Sequence, residues 1–132
     1  MSHRIGVVGF SAQEFDKVDA AAKLFSALRA RSWLYAPDTC SVVSGYTNLG
    51  IPAIAYQCAQ SLGMLTVGIA CQKAYGYERF PCDEVIIVGT NWGDESQTFL
   101  TSIDELIKVG GGKQSAAEYA AFNGPKEELF LG

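Results

Sequence analysis

Apolar residues fall into short, nearly unbroken blocks separated by longer stretches in which they recur every three or four positions. Residues 4–10 carry Ile5, Val7, Val8 and Phe10 around Gly6 and Gly9, which predicts a buried strand ending in a turn. Over residues 14–31, Phe15, Val18, Ala21, Ala22, Phe25 and Leu28 recur at helical spacing and predict a helix. A second strand is expected over 40–44 and a second helix over 51–62. There Pro52 falls in the first turn, where no N–H is missed, and Gly63 fits the C-terminal cap. Further strands are expected over 64–70, 84–88 and 104–109, with helices over 95–103 and 114–122. Strands that are apolar on both faces and alternate with helices predict an α/β fold. The expected architecture is a Rossmann-like three-layer sandwich with a mainly parallel, five-stranded sheet. Residues 123–132 read as a C-terminal tail in which Leu129, Phe130 and Leu131 must be covered by something apolar.

Length and composition narrow the function. The 132 residues match one domain spanning 1–132, and charged residues are 18% against roughly 25% in an average soluble chain. A net charge of −4 without a basic cluster argues against nucleic acid as a partner. No apolar run approaches the ~20 residues of a membrane helix, and no signal-peptide pattern precedes residue 5, so a cytoplasmic location is expected. Cys40, Cys58, Cys71 and Cys82 form no CxxC pair and read as reduced thiols filling a core; no metal site is expected. His3 is the single histidine and stands near an end expected to fray, which leaves Ser-His or Cys-His catalysis without a base.

Candidate chemistry lies where strands give way to glycine. In Val109-Gly110-Gly111-Gly112-Lys113-Gln114-Ser115, a strand passes through three glycines into a helix. Such a turn lets a phosphate approach free N–H groups at the positive end of the helix dipole, with Ser115 adding a hydroxyl. Ser44-Gly45-Tyr46-Thr47-Asn48, followed by Gly50, repeats the arrangement after the second strand, and Gly9 and Ser11 do so after the first. Thr47 and Asn48 serve equally well as helix caps. Neither the Walker lysine nor GxGxxG spacing is present, which disfavours a nucleoside triphosphatase or ordinary dinucleotide site. A third loop offers Asn91, Trp92 and Glu95 as contacts to a base or ribose, with Trp92 able to stack or simply to anchor the loop. In an open parallel sheet all these loops gather at the carboxyl ends of the strands.

The segment from Gly110 to Glu118 resembles the PGGxGTxxE signature of the Lonely Guy phosphoribohydrolases, once labelled lysine decarboxylases, within the SLOG superfamily. Gly111, Gly112 and Glu118 match, while Gly110, Gln114 and Ser115 replace the proline, third glycine and threonine. About fifteen positions before the motif, those hydrolases carry an arginine; here the position is Glu95. The resemblance implies a Rossmann-like, commonly dimeric protein that binds nucleotides or ribose phosphates, and the same superfamily includes molybdenum-cofactor carriers. It makes Glu118 the candidate catalytic or ribose-contacting residue. The leading expectation is binding, for sensing or carriage, of a phosphorylated nucleoside-type ligand. The alternatives are hydrolysis of the N-glycosidic bond of a nucleoside 5'-monophosphate and carriage of molybdenum cofactor. A homodimer is expected because the apolar tail exceeds what a small monomer covers.

Overall fold

The computed structural model describes residues 2–132. Strands β1 (His3–Gly9), β2 (Cys40–Ser44), β3 (Leu65–Ala70), β4 (Glu84–Ile87), β5 (Glu105–Val109) and β6 (Lys126–Glu128) alternate with helices α1 (Lys17–Ser32), α2 (Gly50–Ser61), α3 (Ser96–Ser102) and α4 (Lys113–Ala121). The sheet is parallel throughout, in the order β4-β3-β2-β1-β5-β6. The fold is therefore the expected Rossmann-like α/β sandwich, with six strands in place of five.

Alternation of side chains along each strand divides the core in two. Ile5, Val7, Val42, Ile107 and Val109 pack beneath α1 and α2, whereas Val43, Val67, Ile69 and Leu106 meet Phe99 and Ile103 near α3 and Phe122 after α4. Cys40, Cys58 and Cys71 are buried free thiols, and burial pushes the Cys58 pKa up. Among the described residues, no helix is long and apolar enough to cross a membrane.

Three sequence expectations need correction. Helix α1 begins at Lys17, not residue 14, because Asp16 accepts a hydrogen bond from the Asp19 N–H and closes the first turn. Its buried row is Ala20, Leu24 and Leu28, leaving Val18, Ala22 and Phe25 on the outer face. The apolar spacing fitted either row; the one packed in the core that α1 shares with α2 is Ala20, Leu24 and Leu28. Residues 123–132 are not a loose tail. Lys126–Glu128 adds an edge strand to β5, anchored by Lys108 Nζ to Glu128 at 3.0 Å and Arg31 to Glu127 at 3.3 Å. Leu129 and Leu131 then pack on the α1/α2 core, and only Phe130 of the three points outward. Finally, His3 opens β1 rather than fraying: its ring stacks on Tyr35 and bonds Glu105, at the sheet edge opposite the glycine loops.

Candidate functional site

Strand β1 is the point where the order of the strands reverses. From it the chain steps outward through β2, β3 and β4, then crosses back to β5 on its other side. Loops leaving β1 and β5 thus diverge to opposite faces, and a crevice opens at the carboxyl edge between them. A cavity of about 400 Å³ occupies this place.

The structure brings most of the sequence candidates into its wall. Gly9 and Ser11 come from the end of β1; Ser44, Gly45 and Thr47 from the loop after β2; Trp92 and Glu95 from the loop before α3; Gly112, Lys113, Gln114, Ser115 and Glu118 from the start of α4. Tyr46, Asn48, Gly50, Gly111 and Asn91 do not line it. Tyr46 donates its N–H to the Tyr56 hydroxyl at 3.0 Å and accepts from the Phe80 N–H at 2.8 Å, pinning the loop from behind. Asn48 is tied to Glu78 by its amide and its backbone N–H. Gly50 lies where a Cβ would come within 2.4 Å of the Phe10 carbonyl, so it permits α2 to approach the β1 turn. Asn91 donates its backbone N–H to Asp94 in an exposed turn.

The two glycine loops differ in what their helices leave free. At the start of α2, the Ile51 N–H bonds the Phe10 carbonyl and Pro52 has no N–H, so this N-terminus is spent on packing. Helix α4 begins at N-cap Gly112 with no side-chain cap, and Gly112, Lys113, Gln114 and Ser115 at its start line the cavity. Gly111 and Gly112 also play separate parts. Gly111 has φ of +105° and lies where a Cβ would press on Ser115 Oγ at 2.7 Å; Gly112 has φ of −104°, and a Cβ there would make only an ordinary contact, with Gln13 Nε2 at 3.7 Å. At this turn the Ser115 hydroxyl donates to the Gly9 carbonyl at 3.4 Å, and Lys113 is exposed beside it.

Beside that turn lies an acidic pair. Glu95 and Glu118 are both more than nine-tenths buried, and the Gln114 amide Nε2 donates to a carboxylate oxygen of each at 3.3 Å. The Gly93 N–H donates to Glu95 Oε1 at 2.8 Å and the Ser96 hydroxyl to Glu118 Oε2 at 2.7 Å. Burial pushes the Glu118 pKa up. The Ser96 and Gln114 hydrogen bonds oppose that rise, and the Glu95 charge adds to it. Sequence reasoning missed Gln13, Tyr77 and Phe99 in the wall. Gln13 was legible in principle, since it stands in the loop after β1; Tyr77 and Phe99 are brought in by tertiary packing and carry no local signal. Among the described residues, no three His, Cys, Asp or Glu side chains converge as a metal cage.

A parallel sheet with a crevice at the point where the strand order reverses defines an α/β architecture of the Rossmann type. Among solved structures it is similar to the molybdenum cofactor binding protein from the phototrophic bacterium Rippkaea orientalis, at 23% identity and a TM-score of 0.79 over 100% of this chain and 78% of that one. It is likewise similar to the molybdenum cofactor carrier protein of Chlamydomonas reinhardtii, at 21% identity and a TM-score of 0.77 over 99% and 79% of the two chains. A structural-genomics target, TM1055, superposes with a TM-score of 0.67 at 20% identity over 89% and 69%. No family model matches the chain and no curated protein matches it. Such identities establish a shared fold.

Proposed function

We propose that this protein binds and carries a phosphorylated heterocyclic ligand of the molybdenum-cofactor type, a pterin bearing a phosphate. The observation that carries this reading is the cavity of about 400 Å³ at the sheet's reversal point, with the uncapped start of α4 on one wall. Its size suits a ligand of that kind. The phosphate would lie against Gly112, Lys113 and Ser115, where helix N–H groups and an ammonium favour an anion. The fold likeness to two molybdenum cofactor proteins over nearly the whole chain supports the choice of cargo. With no convergent metal ligands among the described residues, a metal here would arrive held by the ligand itself. Native mass spectrometry of the protein purified from cells that make the cofactor tests this. A bound mass matching a phosphorylated pterin is expected. Protein that emerges bare and takes up no cofactor on incubation rejects the reading.

Hydrolysis of a nucleoside monophosphate is the second reading, and one observation favours it. The buried Glu118, with its pKa pushed up, is suited to hold a proton for a leaving base. Against it, Glu95 stands where the resembling hydrolases have a cation, and it is committed to Gly93 and Gln114. Release of free base from a nucleoside monophosphate, lost in Glu118→Gln, would put the hydrolase first.

We also propose that the protein is a homodimer. Its tail is covered within the chain, so the support comes from elsewhere: Val18, Ala22, Phe25 and Trp33 form one exposed row along α1 and just beyond it.

A further inference from the structure

Counting acceptors in the cavity identifies unused capacity. A carboxylate has about four lone-pair sites, so Glu95 and Glu118 together offer about eight. Four are taken: by Gly93 and Gln114 on Glu95, and by Ser96 and Gln114 on Glu118. Among the described residues, no hydrogen bond reaches Glu118 Oε1, and neither acid has an ion-pair partner. Among the described residues only Arg4 Nε is sealed from solvent without a partner, so Glu118 Oε1 keeps contact with the cavity's solvent and is open to a donor that a ligand brings. The donors must also be part of something flat. Trp92 and Tyr77 border the same cavity, with ring centroids 6.1 Å apart and a 56° tilt, and offer a face on which a planar ring can stack. Gly112 to Glu118 spans roughly 9 Å of helix rise. Glu118 thus stands further along α4 than the anion-favouring turn, while Gln114 reaches from that turn to both acids at 3.3 Å.

We infer that Glu118, with Glu95 beside it, is the specificity determinant for the ligand's ring. The pair accepts the adjacent N–H donors of a 2-amino-4-oxo pyrimidine edge, the edge shared by guanine and pterin. Gln114 and Ser96 are positioning residues that hold the free Glu118 oxygen toward the cavity. Adenine, which presents an acceptor nitrogen beside its amino group, meets lone pairs with a lone pair and is disfavoured.

This inference rests on the carriage reading, and two ligand pairs separate the failures. GMP and IMP differ only in the exocyclic 2-amino group, and pterin and lumazine differ at the corresponding position. Calorimetry on the wild-type protein should give GMP at least about tenfold tighter than IMP, or pterin at least about tenfold tighter than lumazine. The ring system that carries the preference identifies the source. In Glu118→Gln, with Glu95→Gln as the second variant, the preference should shrink to within about twofold. If Glu118 instead holds a ribose hydroxyl, GMP and IMP weaken by the same factor and the preference survives, which overturns the inference. Equal wild-type affinity within both pairs overturns it while leaving carriage intact. Failure of all four ligands, with inorganic phosphate also unbound, rejects both readings.

Discussion

The Ser96 hydroxyl donates a 2.7 Å hydrogen bond to Glu118 Oε2 across 22 positions of chain, joining the first residue of α3 to the middle of α4. This bond opposes the burial that pushes the Glu118 pKa up from its ordinary value of 4.5. In the window from 4.5 to the raised folded value, the folded protein keeps a proton that the unfolded chain has released. Stability from this group is therefore fully present below 4.5 and is lost as pH rises through the folded pKa. Glu118→Gln should remove that decline, seen as a flatter difference curve in urea unfolding from about pH 4 to about pH 8. Ser96→Ala should raise the Glu118 pKa further in a carbon-detected carboxyl titration and cost about 1–2 kcal/mol at neutral pH. The charged groups sharing the cavity with this carboxyl are Glu95 and Lys113. A pKa that falls in Ser96→Ala refutes the assignment.

Adjacent glycines should respond oppositely to alanine. Gly111, at φ of +105° with Ser115 Oγ 2.7 Å from a built Cβ, must strain or shift the turn, so Gly111→Ala should cost about 1–3 kcal/mol. Gly112 has φ of −104°, and the nearest atom to its built Cβ is Gln13 Nε2 at 3.7 Å. Gly112→Ala should stay within about 1 kcal/mol of wild type and weaken phosphate binding by placing a methyl in the cavity wall. Thermal unfolding and phosphate calorimetry check both. A folded Gly112→Ala protein that binds phosphate as tightly as wild type would move the anion away from α4.

The central sheet was legible in the sequence because strands such as β2, with Val42-Val43, are buried on both faces and therefore apolar; the edge strand β4 was legible from Val85-Ile86-Ile87 although it is only partly covered. Strand β6 was not legible. Lys126-Glu127-Glu128 has no apolar residue, and its pairing depends on Lys108 and Arg31, residues far away in sequence. The spacing announced helix α1 without fixing its buried face, because apolar residues stand on more than one side and only the packing on α2 chooses Ala20, Leu24 and Leu28. At the site, the rule that loops gather at the carboxyl edge located the walls. The linking of Glu95 to Glu118 through Gln114 depends on two loops meeting, and nothing local in the sequence encodes it.

The homodimer has a specific test. Val18 is 82% exposed and Trp33 77%, and both lie on the row with Phe25. Wild-type protein should scatter light as a dimer, at twice 14.2 kDa, and Val18→Lys with Trp33→Glu should shift it to monomer without loss of helix signal. A double variant that remains dimeric puts the interface elsewhere, and a monomeric wild type at micromolar concentration removes the proposal.

The C-terminal segment should behave as part of the core. Leu129 and Leu131 pack against the cluster beneath α1 and α2, while the Leu129 N–H bonds the Lys108 carbonyl at 2.8 Å and the Lys23 ammonium bonds the Phe130 carbonyl at 2.5 Å. Both leucines are only partly buried, so replacement of either by alanine removes less than a full core side chain and should cost about 1–2 kcal/mol. Phe130 is 72% exposed, and Phe130→Ala should leave stability within about 0.5 kcal/mol. Urea unfolding of the three single variants distinguishes an integrated edge from a loose tail. Three unchanged midpoints would mean that the segment detaches in solution, exposing the Lys108 side of β5 as the true sheet edge. That outcome would return the apolar tail to service as a dimer contact.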